Sequence, residues 1–107
     1  MSLPAEELDF SKLGENVDNA ITLMRALSNR YRLMILCTLL TSEKSVSELN
    51  AIIDIPQSTL SQHLAWLRSE NYVKTRREAQ TIYYQLDSDE VIEVITVLHR
   101  LFCPDDT

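Results

Sequence analysis

The sequence predicts one mainly α-helical domain that carries a small β-hairpin. Three observations predict this fold class: the length of 107 residues suits a single domain, five stretches repeat apolar residues at helical spacing, and the apolar spacing changes to two near residue 72. A domain of this size buries roughly two-thirds of the surface that its unfolded chain exposes. A hydrophobic core can therefore form without covalent cross-links.

The first two helices are predicted on either side of Ser28 and Asn29. Residues 17–27 place apolar side chains at the i, i+3, i+4 and i+7 positions of an amphipathic helix. Ser28 or Asn29 can cap the helix that follows. Residues 31–40 are apolar nearly all round, which is typical of a buried helix.

Two helices joined by a tight turn are predicted next. The run from Ser45 to Glu48 has the form of a capping box, in which the serine hydroxyl and the glutamate carboxylate each accept a backbone hydrogen bond. Pro56 ends this helix and suits the first turn of another, because proline disfavours helical geometry in the preceding residue. The second helix, from residue 56 or 57, turns leucines inward and small polar residues outward. This arrangement is a helix-turn-helix.

After Asn71 the sequence predicts a hairpin and a last helix. Residues 72–76 and 81–86 are β-prone, and Arg77 to Gln80 form the predicted charged tip. Asp87 or Ser88 then caps the last helix. That helix is too apolar to pack only one face on a small core, so it needs a second surface, and a second copy of the chain is the simplest source.

The sequence also predicts where the domain begins and ends. Residues 1–14 show little periodicity and are predicted to form a flexible N-terminal arm. The folded domain covers residues 15–103, and residues 104–107 form a C-terminal tail. No repeat or linker divides the chain.

The charge is unevenly distributed along the chain. The formal net charge of -6 and the pI near 4.8 count, on average, against a nucleic-acid partner. However, residues 25–42 carry +3 and residues 57–86 carry +2, whereas residues 1–24 carry -4 and residues 87–107 carry -5. Because phosphate neutralisation is local, within about 8 Å, the positive segments can bind DNA despite the acidic ends.

The outer face of the second helix of the helix-turn-helix is the candidate for reading DNA bases. In the hairpin, Arg76 and Arg77 are candidates for phosphate or minor-groove contacts. The predicted DNA-binding residues are Gln57, Ser58, Thr59, Ser61, Gln62, His63, Arg68, Arg76 and Arg77. The alternatives are a solvated polar helix face, a packing role for His63, and an edge strand protected by charge.

Other function classes are disfavoured. The one glycine excludes glycine-rich nucleotide loops, and no nucleophile with an adjacent base is evident, so neither an enzyme nor a cofactor is predicted. The N-terminus lacks the features of a signal peptide, and no run reaches the roughly 18 apolar residues of a membrane span. A cytoplasmic protein is expected. There, Cys37 and Cys103 are either small buried hydrophobes or reactive thiols.

The order of helices and hairpin resembles the winged-helix ArsR/SmtB family of bacterial repressors. The resemblance is carried by three stretches: Arg25 to Leu33, Ser58 to Arg68 and Val73 to Tyr84. The resemblance implies a homodimer paired through the first and last helices, an imperfectly palindromic operator, and release of DNA when an inducer binds. The chain departs from the metal sensors of the family. The third helix reads Ser47 to Asn50 where some sensors carry Cys-x-Cys, and the last helix offers only His99, so no metal site is expected.

The positions of Cys37 and Cys103 resemble a thiol pair in one branch of that family, the persulfide- and redox-responsive group of HlyU, BigR and SqrR. The resemblance implies that these thiols react with persulfides or oxidants and become linked, which moves the dimer away from its DNA-binding form. The plainer alternative is that Cys37 is a core residue. A second candidate function is a protein-interaction module that uses the acidic, apolar last helix to bind another protein.

Overall fold

The computed structural model describes residues 10–103, which form five helices and a small three-stranded antiparallel sheet. The elements are α1 (Phe10–Leu27), α2 (Arg30–Leu39), β1 (Lys44–Ser45), α3 (Val46–Ile52), α4 (Gln57–Ser69), β2 (Val73–Glu78), β3 (Thr81–Leu86) and α5 (Asp89–Phe102). The predicted fold class, a mainly helical winged helix-turn-helix, is confirmed.

Helix α1 begins earlier than the apolar spacing predicts. It starts at Phe10 rather than near Val17, and Gly14 lies inside it. Residues 12–20 of α1 are exposed, and one interior glycine costs only about 1 kcal/mol. Residues 10–14 of the predicted arm are therefore helical. The rest of the arm and the predicted tail lie outside the described residues.

The predicted helix caps are confirmed. The Asn29 side chain accepts hydrogen bonds from the backbone amides at positions 31 and 32, at 3.0 and 3.1 Å. The Ser45 hydroxyl accepts from the amide of Glu48 at 3.2 Å, and the Glu48 carboxylate accepts from the amide of Ser45 at 2.8 Å. The Ser88 hydroxyl accepts from the amide of Val91 at 3.2 Å. These caps satisfy amides that have no partner inside their own helices.

The sheet differs from the prediction in two details. Its strand order is β1-β3-β2, and the two-residue strand β1 is an addition that the sequence pattern did not predict. Strand β2 continues to Glu78, so Arg77 and Glu78 pair with β3 instead of forming the tip. The turn consists of Ala79 and Gln80, and Ala79 has a φ of 57°.

The hydrophobic core joins the helix-turn-helix to both flanking helices. Its fully buried side chains come from α1, α2, α3, the turn after α3, α4, β2 and α5: Ala26, Ile35, Leu36, Leu49, Ile53, Leu60, Leu64, Leu67, Val73, Val91 and Ile95. The three leucines of α4 lie on one face of that helix, as the spacing predicted. Burial of this face fixes which side of α4 points to solvent.

Helices α1 and α5 both expose large apolar side chains. On α1 they are Leu13, Val17, Ile21 and Met24, and on α5 they are Ile92, Val97, Leu101 and Phe102. Within residues 10–103, no helix is both long and apolar enough to cross a membrane.

Candidate nucleic-acid interface

The outer face of α4 carries the polar residues predicted to read DNA. Gln57, Ser58, Ser61 and Gln62 are exposed, and Thr59 is half-buried. These side chains occupy the N-terminal half of the helix, directly after the turn at Pro56. Amide and hydroxyl groups at this end of a recognition helix have the donors and acceptors that base edges require.

The turn before α4 is held by Asn50, a residue that the sequence reasoning missed. The Asn50 side-chain amide donates to the carbonyl oxygens of Ile53 at 3.1 Å and Ile55 at 2.8 Å. Both acceptors lie in the turn between α3 and α4. This side chain therefore fixes the angle at which α4 leaves α3. The available signal was an amide residue in the last turn of a short helix that ends before proline.

His63 is packed between α4 and α2. Its ring lies 6.1 Å from the ring of Tyr31, centroid to centroid, and the residue is half-buried. Burial lowers the pKa of His63 below its ordinary value, and the charge of Arg32 lowers it further. The neutral imidazole is therefore favoured, which fits the packing role that was left open for His63 better than a charged contact to phosphate.

Arg32 connects the end of α1 to the recognition helix. Its Nη2 donates to the Arg25 carbonyl at 2.8 Å, and its guanidinium lies 4.5 Å from the ring centroid of Trp66. Trp66 also meets Tyr72 edge to face, with ring centroids 6.3 Å apart. Trp66 is half-buried. The contacts of Arg32 set the position of α4 relative to α1.

The two arginines of the hairpin differ in their surroundings. Arg76 bonds the Glu43 carboxylate through Nε at 3.2 Å and Nη2 at 2.5 Å, and its Nη1 bonds Glu78 at 2.9 Å. Arg76 holds the pKa of Glu43 below its ordinary value, mainly through this hydrogen bonding. Arg77 is exposed and, like Arg68 on α4, has no ion-pair partner among residues 10–103. Arg68 and Arg77 are therefore open to an incoming phosphate.

The two cysteines lie on different elements, Cys37 in α2 and Cys103 directly after the last residue of α5. Cys37 is half-buried and Cys103 is exposed, and both are free thiols. Burial raises the pKa of Cys37, and the negative charge of Cys103 raises it further. Cys37 is the less accessible of the two thiols.

Potential metal ligands are not clustered. Among residues 10–103, no group of three or more His, Cys, Asp or Glu side chains could hold a metal ion.

Comparison with known families places this arrangement in a regulatory context. The family model described as "Bacterial regulatory protein, arsR family" matches residues 29–75, from the N-cap of α2 into β2. The chain is 46% identical to the transcriptional activator HlyU of Vibrio cholerae over 94% of both chains. It is 40% identical to the biofilm growth-associated repressor of Agrobacterium fabrum, over 91% of this chain and 83% of that relative.

Solved structures of HlyU and BigR have the same fold as this chain. HlyU from Vibrio cholerae in its reduced form superposes with a TM-score of 0.82 at 50% identity, covering 86% of this chain and 97% of that one. The transcriptional repressor BigR from Xylella fastidiosa superposes with a TM-score of 0.81 at 35% identity, covering 90% of this chain and 98% of that one.

Proposed function

Because this chain belongs to the ArsR family of bacterial regulatory proteins, and is thus a DNA-binding transcription regulator and not an enzyme, we propose how it binds DNA and how it is switched. It binds an imperfect palindrome as a homodimer, represses transcription, and releases DNA when Cys37 and Cys103 become linked. We propose that it does so in the cytoplasm, where bacterial DNA lies.

The observation that carries the proposal is that α4 exposes a polar outer face and that Arg68 and Arg77 have no ion pair within residues 10–103. The exposed residues from Gln57 to Gln62 present amides and hydroxyls for bases, and Arg68 and Arg77, which form no ion pair in the described part of the chain, are cations for phosphates. Base contacts supply the sequence preference, and phosphate contacts supply most of the affinity and its salt dependence. Both kinds of group lie on elements that are anchored in the core.

The exposed apolar faces of α1 and α5 support the proposed homodimer. Met24 is 66% exposed, Leu101 61% and Phe102 77%, which is unfavourable for leucine, methionine and phenylalanine side chains in water. Burial of these faces against a second copy removes that cost. A two-fold dimer presents two copies of α4, so its operator is expected to be palindromic, with half-sites about one helical turn apart.

The difference in exposure between the two cysteines supports a definite order of reaction with a persulfide. The exposed Cys103 thiolate attacks the outer sulfur of R–S–SH, so that Cys103 gains that sulfur and RS⁻ leaves. The Cys37 thiolate then attacks the inner sulfur of Cys103 and expels HS⁻, which leaves a disulfide between α2 and α5. The relative HlyU has been solved in a form described as reduced.

Mobility-shift titration of promoter DNA tests the regulator. Reduced protein is expected to bind at low salt and to weaken steeply as salt rises. Protein treated with persulfide is expected to bind much more weakly. Equal affinity of the two forms contradicts the switch, and absence of binding at low salt contradicts DNA recognition by this face.

Intact mass spectrometry tests the chemistry. Treated wild type is expected to lose two hydrogens for a disulfide, or to gain sulfur for a polysulfide link. Cys37→Ser is expected to stop at a persulfide on Cys103, whereas Cys103→Ser is expected to react slowly or not at all. If neither thiol of the treated wild type changes in mass, the proposed thiol switch is wrong.

A further inference from the structure

Arg76 lies in the β2–β3 hairpin, the wing of the winged helix, and is held by the carboxylate of Glu43 from a distant part of the chain. Its guanidinium binds both carboxylate oxygens of Glu43, which precedes β1 by one residue. This is the two-point geometry with which arginine also binds a phosphate. Glu43 therefore presents to Arg76 the same pattern of negative oxygens that a DNA backbone presents.

The register of the sheet explains how the contact is made. Arg76 pairs with Tyr83, and Tyr83 pairs on its other side with Ser45, so the three residues form one row across the sheet. The Arg76 guanidinium lies over the Tyr83 ring, 4.7 Å from its centroid, and there binds the Glu43 carboxylate. Strand pairing and the aromatic ring both direct the side chain toward Glu43.

We propose that Glu43 is an internal phosphate mimic, which holds Arg76 in the free protein and yields it to DNA when the wing binds. This inference rests on the proposed function, because it assumes that Arg76 contacts DNA. The Nε and Nη2 edge of the guanidinium can engage one two-oxygen partner at a time, so a phosphate must displace Glu43 to use it. Arg77, unpaired among residues 10–103, needs no such exchange.

Glu43 consequently weakens binding of the wing to every phosphate backbone. One exposed ion pair shifts an equilibrium by up to about fivefold. Two wings act in a dimer, so removal of both carboxylates is expected to tighten DNA binding by up to about 25-fold. Salt weakens the internal pair as well, so this gain is expected to shrink as the salt concentration rises.

A double-mutant cycle tests the mimic. Wild type, Glu43→Gln, Arg76→Gln and the double variant are titrated against one duplex by fluorescence anisotropy at two salt concentrations. We expect Glu43→Gln to bind more tightly than wild type and Arg76→Gln to bind more weakly. In the Arg76→Gln background, Glu43→Gln should tighten binding no more than a general loss of negative charge does.

Asp54→Asn is the matched control for that general effect. Asp54 is an exposed acid in the turn of the helix-turn-helix, and no ion pair joins it to an arginine within residues 10–103. Its removal is expected to tighten binding equally with and without Arg76. Denaturant unfolding of each variant verifies that the fold is retained.

The outcomes separate the inference from the function on which it rests. If Arg76→Gln binds DNA as tightly as wild type, the proposed contact between Arg76 and DNA is wrong, and so is the role of Glu43 as a phosphate mimic. If Arg76→Gln binds weakly but Glu43→Gln does not bind more tightly than wild type, the mimic alone is overturned. The mimic is also overturned if Glu43→Gln tightens binding equally in both backgrounds.

Discussion

Asn50→Ala is expected to destabilise the helix-turn-helix through the loss of two hydrogen bonds. The substitution removes the donors to Ile53 and Ile55, at 3.1 and 2.8 Å. A net 0.5–1.5 kcal/mol for each bond gives about 1–3 kcal/mol. Alanine returns about 0.5 kcal/mol, because it is a better helix former than asparagine inside α3. The expected loss of unfolding free energy is therefore about 0.5–2.5 kcal/mol.

Asn50→Asp separates hydrogen bonding from side-chain shape. The carboxylate has the size of the amide but places acceptors against two carbonyl oxygens, and it brings no gain in helix propensity. It is expected to destabilise at least as much as Asn50→Ala. Ser69→Ala serves as control, because it removes an exposed side-chain hydrogen bond at the far end of α4 and should change stability by less than about 0.5 kcal/mol.

The assay is guanidinium unfolding at one fixed protein concentration, because a dimer's stability depends on concentration. Asn50→Ala as stable as wild type, or more stable, would refute the reasoning, since the two bonds and the helix propensity together predict a net loss of at least about 0.5 kcal/mol. Wild-type stability for Asn50→Asp would refute it as well.

Three further predictions concern single sites. Ala79→Gly is expected to raise the unfolding free energy by up to about 1 kcal/mol, since Ala79 has a φ of 57°; lower stability in a denaturant titration argues against this. In a peptide-mapped time course, Cys103 should be alkylated before Cys37, because Cys103 is the more exposed thiol. The alkylation rate of Cys37 should still rise above pH 9.0, because its pKa is raised. Faster alkylation of Cys37 than of Cys103 contradicts this order. Because the pKa of His63 is lowered, its contribution to stability is complete above about pH 6.5 and is lost as pH falls below that value; His63→Gln should flatten this part of the stability profile, and an unchanged profile speaks against it.

Local rules were sufficient to predict most of the helical fold. Each cap is a short polar residue at a helix start, and its partner lies two or three residues away, as with Asn29, Ser45 and Ser88. The inward face of α4 followed from leucines at helical spacing. These features depend on neighbours in the sequence, so the sequence alone could reveal them.

The features that were missed depend on contacts between distant residues or on exposed segments. The pairing of Glu43 with Arg76 joins residues 33 positions apart, and no local pattern announces it. Strand β1 has only two residues, too few for an alternating pattern, and it exists because β3 lies beside it. Residues 12–20 of α1 are exposed, and Gly14 weakens the helical signal among them, so the start of the helix was placed too late.

The candidate interface was predicted in its outline rather than in its electrostatics. The outer face of α4 followed from helical geometry, and the positions of the arginines followed from the hairpin pattern. Which arginine is free depends on where acidic side chains lie in three dimensions: Arg76 is paired, and Arg77 is unpaired within the described part of the chain. The packing of His63 against Tyr31 likewise needed the fold.

The binding of Gln62→Ala to two duplexes tests most directly whether α4 reads DNA. One duplex is selected from a random pool by wild-type protein, and the other is unselected. Loss of one good base contact costs about 1–3 kcal/mol. Anisotropy titration should therefore show at least tenfold weaker binding of Gln62→Ala to the selected duplex and little change on the other, with Ser69→Ala unchanged on both. Equal losses on both duplexes, or no loss on either, would contradict recognition through the outer face of α4.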